Sequence, residues 1–246
     1  MSFFLEIYFM MQSSLLAIVI LDAYTPALAP LVALAFLGAG FLLVCAAVGS
    51  GVAFAARRVR LARALGGAGL AVAVVYATLL VGAGLLSRDR TLAPGERKYF
   101  CEMDCHIAYA VTAVEAPDAR TRAVTVRTWF DPGTIASFRG NGPLAPGPRT
   151  VYAVDEAGRR YDPSPAATRA WESAHGSSTP LGRELRPGES YTTTFVFELP
   201  PDARAPRLFV GDPPGGIEGV LIGHENSPLH GKTYLAVPSP GRPAGA

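Results

Sequence analysis

Two charge-free apolar stretches separated by a run of arginines constrain this chain more than any other feature. No charged residue occurs from Ala23 to Ala56, and Leu31 to Ala56 reads LVALAFLGAGFLLVCAAVGSGVAFAA. A spanning helix needs about 20 apolar residues, so this stretch is long enough to cross a bilayer. Ala64 to Ser87 is again free of charge. Between the two stand Arg57, Arg58, Arg60 and Arg63, in a connection so short that only a tight helical hairpin fits over residues 23–89. Gly66, Gly67, Gly69, Gly82 and Gly84 suit close helix–helix approach in lipid. Cys45 lies inside the first run and faces lipid or a neighbouring helix.

Orientation follows from the arginines. Basic residues in short loops stay on the cytoplasmic side, which places the turn inside and everything after the second helix outside. Arg88 and Arg90 oppose this, but they are fewer and Asp89 interrupts them. The expected location is the plasma (inner) membrane, with the C-terminal domain extracytoplasmic. Phe3 to Leu21 is apolar apart from Glu6, Gln12, Ser13 and Ser14, Asp22 ends it, and residues 1–22 read as a third span or as an interfacial helix. We favour the span. No basic segment precedes the apolar stretch, which argues against a cleaved signal peptide.

Mean hydropathy is +0.26, higher than a soluble domain carries, and the apolar excess lies before Arg88. The remainder has the polarity, glycine and proline of a soluble β domain. A net charge of +2, with its one basic cluster in the helical turn, gives no basic face for nucleic acid.

From Arg90 the pattern changes to short alternating segments bounded by turn formers. Ile107 to Glu115, Ala123 to Phe130, Thr150 to Asp155 and Tyr191 to Leu199 read as strands. In the second, Val124, Val126 and Phe130 share a face opposite Arg127 and Trp129. Glu156 to Gly158 turns the chain so that Arg159 to Tyr161 can return as a hairpin. Pro187-Gly188 suits a tight turn before the Tyr191 strand, and Pro200-Pro201 ends that strand. Arg207 to Val210, Gly219 to Ile222 and Thr233 to Val237 supply further short strands. Pro163 to Pro180 reads as a loop with one helical turn at Thr168 to Glu172. About seven strands at this spacing argue for an all-β sandwich over residues 90–237, followed by a disordered tail at 238–246.

The runs RTVYAVDEAGRRYDPS, Arg149 to Ser164, and LRPGESYTTTFVFELP, Leu185 to Pro200, resemble a family of uncharacterised bacterial domains. These are immunoglobulin-like sandwiches carried outside the cell on lipid or helical anchors. The resemblance covers most of Ala93 to Val237 and implies N-terminal transmembrane α-helices followed by an all-β, immunoglobulin-like sandwich. Its motifs are structural, so it implies exposure and no reaction.

The segment Tyr99 to His106, YFCEMDCH, is the most unusual in the chain. A straight strand would hold residues four apart at about 13 Å, beyond the reach of about 7 Å that a disulfide tolerates. A bonded or metal-sharing pair therefore requires a loop or helical turn. A local Cys101–Cys105 disulfide is the preferred reading; two separately packed thiols and a metal site are the others. Cys101, Met103, Cys105 and His106 offer thiolate, thioether and imidazole, which together select copper or zinc. His224 and His230 in GHENSPLH would complete such a site if the fold brought them near; otherwise they lie in a surface loop. The C-x3-C spacing resembles the binuclear copper loop of cytochrome c oxidase subunit II. His106 follows Cys105 directly, no Met comes after it, and no His precedes it, departures that count against a binuclear centre. His175 reads as a solvated loop residue.

No catalytic set emerges: Ser177-Ser178-Thr179 lacks a base, and Asp212 and Glu218 merely flank a Gly-Pro run. The sequence thus points to a membrane-anchored, non-enzymatic binding or accessory module without a cofactor. Its partner would be an envelope protein or polymer. The alternative is a copper- or zinc-binding envelope protein.

Overall fold

The computed structural model describes residues 29–100, 106–135 and 139–238. The expectations for residues 1–22, the tail from residue 239 and the Cys101–Cys105 pair lie outside the described residues. The chain divides into two compact units. One holds the helices up to Arg88 together with Gly215–Gly231; the other holds Asp89–Pro214 and the chain from Lys232 onward.

In the first unit, α1 (Ala29–Ala55) and α2 (Val59–Leu86) pack on one another. Both are long and apolar enough to cross a membrane. The turn between them is tighter than the arginine spacing suggests. Arg58 N–H donates to Ala53 O at 2.8 Å, Arg57 takes φ 57°, and α2 begins at Val59, so Arg60 and Arg63 ride its first turns. Arginine is a good helix former, so a charge count alone placed the helix start too late. Ser50 Oγ donates to Ala62 O across the hairpin at 2.9 Å.

Of the five glycines expected to allow close helix contact, Gly69 does so most strictly: a Cβ there would stand 2.9 Å from that of Ala46. Gly66 faces Ser50 Oγ at 3.6 Å, whereas Gly67 and Gly82 face open space. Gly84 is pressed instead against Pro228 and His230. The hairpin turns large apolar side chains outward, among them Leu37, Phe41, Phe54, Leu70 and Leu85, each more than 60% exposed. Cys45 is an exposed thiol on α1.

The second unit is β-rich and built on two sheets. Its strands are β1 (Arg90–Leu92), β2 (Lys98–Phe100), β3 (Ile107–Glu115), β4 (Thr121–Phe130), β5 (Thr150–Val154), β6 (Arg160–Tyr161), β7 (Ser190–Glu198), β8 (Arg207–Gly211) and β9 (Thr233–Ala236). The sheet orders are β1-β9-β8-β5-β6 and β2-β3-β4-β7. Alternation made the long strands legible. Ile107, Tyr109 and Val111 are buried on one face of β3, and Val124, Val126 and Phe130 share the matching face of β4. Gly188 takes φ 84° in the Pro-Gly turn and Gly158 φ 77° in the β5–β6 turn, as those turns require.

Three readings are corrected. Gly219 to Ile222 is no strand: a 3-10 turn runs through Ile217–Val220, and Leu221 N–H bonds back to Glu218 O. The GVLI run lies in the helical unit, and among the described residues no strand pairs with it. The expected helical turn is a full helix, α3 (Pro165–His175), capped by Ser164 and closed at Gly176, where φ is 92°. Ser164 Oγ accepts Ala167 N–H and Pro165 opens the helix, a start signal that the polar composition obscured. His175 therefore ends a helix, stacked on Trp171 at 3.7 Å between ring centroids.

A polar clamp holds the β5–β6 hairpin. Asp155, 1% exposed, accepts the Arg159 N–H at 2.9 Å, Arg159 Nε at 2.7 Å and the Tyr161 hydroxyl at 2.9 Å. Arg159 Nη1 also donates to Asp202 at 2.7 Å. Burial would raise the Asp155 carboxyl, but these hydrogen bonds outweigh it and hold the group below its ordinary value. The Arg159 hydrogen bond lowers Asp202 as well. A depressed carboxylate stabilises the fold above its unfolded-state value, about pH 4, and that contribution fades as the pH falls through the folded value. Asp155→Asn should therefore reduce stability at pH 7 and flatten the acid limb of the stability–pH curve. Urea midpoints measured from pH 7 down to pH 2 check this.

Candidate functional site

The outer face of the four-stranded sheet presents the most distinctive exposed chemistry. Register sets two rows across it. Tyr99, Ala108, Trp129 and Ser190 follow one another through β2, β3, β4 and β7, and Ala110, Arg127 and Thr192 form the adjacent row. Alanines at 108 and 110 leave room beside the indole, and Arg97, one residue before β2, fills it. Its guanidinium carbon stands 3.7 Å from the Trp129 ring centroid. Such a stacked pair contributes about 0.5–1 kcal/mol when exposed. Arg127 Nη2 donates to Ser190 Oγ at 2.9 Å. At the rim Tyr99 donates to Asp131 Oδ2 at 2.6 Å, and burial, then this bond, raises the Tyr99 hydroxyl above its ordinary value.

The result is a shallow shelf: one indole, two exposed guanidiniums and a floor of small side chains on the four-stranded sheet. Tryptophan and arginine are the side chains that most often dominate protein interfaces. The alternation in β4 already placed Arg127 and Trp129 away from the core. Arg97 carried no signal, because it precedes a strand of only three residues.

A second cluster of cations is structural. Lys98 is 2% exposed, and its Nζ donates to Val210 O at 2.7 Å and Thr233 O at 2.8 Å, tying β2 to the backbones of β8 and β9. Arg149, its side chain 3% exposed, pairs with Asp212 at 2.7 Å and lies 4.3 Å from the Phe100 ring centroid. Both side chains thus make contacts that link the two sheets.

Of the sequence-predicted metal ligands, His106 belongs to the β unit and His224 and His230 to the helical unit. Cys101, Met103 and Cys105 lie outside the described residues, so their disulfide and their sharing of a metal rest on the sequence alone. His106 is fully buried, with Nδ1 at 2.8 Å from Thr134 Oγ1 and its ring stacked on Phe130. His224 and His230 belong to Gly215–Gly231 in the helical unit. His224 Nδ1 accepts the Asn226 N–H at 3.0 Å, and His230 Nδ1 stands 2.6 Å from Gly231 O. Among the described residues no three His, Cys, Asp or Glu side chains are placed to share a metal ion.

No protein-family model and no curated protein matches the chain. Two solved structures are similar over part of it. A conserved hypothetical protein from Bacillus anthracis shares 16% identity at a TM-score of 0.32, covering 48% of this chain and 87% of its own. The secreted protein MPT63 from Mycobacterium tuberculosis shares 12% identity at a TM-score of 0.37, covering 61% of this chain and 98% of its own.

Proposed function

We propose that this chain is a membrane-anchored binding module without catalytic activity. Its helical hairpin spans the plasma membrane with the arginine turn in the cytoplasm. Its β unit, an immunoglobulin-like sandwich, stands outside and engages an envelope protein or polymer through the Arg97–Trp129–Arg127 shelf. The observation that carries the binding role is that shelf: an aromatic plate flanked by two exposed cations suits an acidic group set on an apolar body. The anchor reading is supported by two long helices whose large apolar side chains face outward.

Purification in mild detergent tests it. A stoichiometric partner should accompany the chain, and Trp129→Ala should weaken its retention at least about tenfold, the loss expected of an interface hot spot. Protease added to intact spheroplasts should meanwhile remove the chain beyond Leu86. A partner held equally well by the variant sinks the shelf. A β unit cut only after the bilayer is broken sinks the topology, and a partnerless monomer that turns over a substrate sinks the binding role.

A further inference from the structure

Gly215–Gly231 groups with the helices, and its contacts run along the second half of α2. Tyr76 donates its hydroxyl to Val220 O at 2.7 Å, Gly84 abuts Pro228, and Gly231 N–H donates to Ser87 Oγ at 2.7 Å. Tyr76 precedes Leu86 by ten residues, so the loop descends about 15 Å along the helix at 1.5 Å per residue. Over that length α2 exposes Val81, Leu85 and Leu86. The loop exposes apolar side chains of its own: Ile217 at 60%, Val220 at 44% and Leu229 at 68%.

Non-helical backbone survives in hydrocarbon only where its polar groups are satisfied by protein. This segment closes on itself in successive turns. Gly219 N–H donates to Gly216 O, Leu221 to Glu218 O, His224 to Leu221 O, Ser227 to His224 O and His230 to Ser227 O. Its polar side chains turn inward, with Glu225 2%, Ser227 4% and His224 5% exposed. The Tyr76–Val220 bond in turn gives a partner to a hydroxyl that would otherwise stand on an apolar helix. Two carboxylates must be accommodated at such a position: Glu225 is among the buried side chains, and Glu218 is only half-buried. The Glu218 carboxylate folds back over Gly216, where any side chain would collide with it.

We infer that Gly215–Gly231 is a membrane-inserted loop, seated on α2, whose Ile217, Val220 and Leu229 contact the acyl chains of the outer leaflet. The inference rests on the membrane reading above and extends it: the anchor is a hairpin plus a loop supplied by the far end of the sequence.

Fluorescence of the full chain in vesicles of acyl-brominated phosphatidylcholine tests it. Trp129 and Trp171 of the unaltered chain supply the background. Val220→Trp should add blue-shifted emission that brominated chains quench and aqueous iodide does not. Glu218→Gln in that background should deepen the quenching. Leu70→Trp, on an exposed position of α2, reports separately on the span. If the Leu70 variant is quenched by bromine while the Val220 variant is quenched by iodide, the loop lies in water and the inference fails with the anchor intact. If neither quencher reaches the Val220 variant, protein covers the loop and the inference also fails. If bromine reaches neither variant, the membrane reading itself fails.

Discussion

Phe209→Ala is expected to lower the stability of the β unit by about 4 kcal/mol, within the range of about 3–5 kcal/mol for emptying a buried phenylalanine site. Phe209 is 2% exposed and stands at the middle of β8, between β5 and β9. Its ring stacks on Tyr152 at 4.7 Å between centroids and meets Tyr234 edge-on at 5.8 Å. Lys98 Nζ lies 4.5 Å from the same centroid. The substitution therefore removes an apolar volume, two aromatic contacts and a cation–π partner at once. Neighbours that belong to three hydrogen-bonded strands cannot collapse into the space without breaking register. Both tryptophans, Trp129 and Trp171, lie in this unit and report its unfolding. The urea midpoint should fall by about 2 M, for a slope of about 1–3 kcal/mol per molar. Phe209→Leu should recover most of the loss. A midpoint unchanged by Phe209→Ala would show that the aromatic cluster is not part of the cooperative core.

Lys98→Met carries the second large effect, and two terms oppose one another. Removing a buried cation relieves its desolvation, and an apolar residue of similar volume is often tolerated at such a site. Against this, Val210 O and Thr233 O both lose a donor, and a hydrogen bond to a charged group contributes about 1.5–3 kcal/mol. The carbonyls stay behind in the interior when the amine goes, so the loss outweighs the relief. A net destabilisation of about 2 kcal/mol is expected, because the relief offsets part of two such bonds. Since Lys98 ties one sheet to the other, the variant should also speed amide hydrogen exchange in β8 and β9 more than in β3 and β4. Equal exchange in all four strands would mean that the lysine does not join the sheets.

Much of the β unit could be read from residues because its long strands alternate cleanly. Ile107 to Glu115 is β3 to the residue, and β4, β5, β7, β8 and β9 depart by two residues or fewer at either end. β1 and β2 could not be read: RTL and KYF are three residues each, too short to show a period, and β1 finds its partner at the far end of the chain. The burial of Lys98 was equally hidden, since a lysine reads as solvated and its acceptors are backbone carbonyls with no sequence signature. Half of the shelf was visible through the polarity of β4. The other half depended on Arg97 reaching over Ala108 and Ala110, a matter of cross-strand register. The cysteine–histidine segment drew attention because its residue types are rare together. Rarity says nothing of side-chain direction, and His106 points into the packing beside Phe130. The GVLI run misled because apolarity alone does not distinguish a strand from a loop laid on an apolar helix.

The pairing of β1 with β9 has a mechanical meaning. They run parallel, Arg90 beside Thr233, Thr91 beside Tyr234 and Leu92 beside Leu235. Tension between the start of β1 and the far end of β9 pulls these strands lengthwise past one another, so their cross-links resist together and do not peel apart singly. A chain tugged from both ends would thus meet its first resistance at this short clasp.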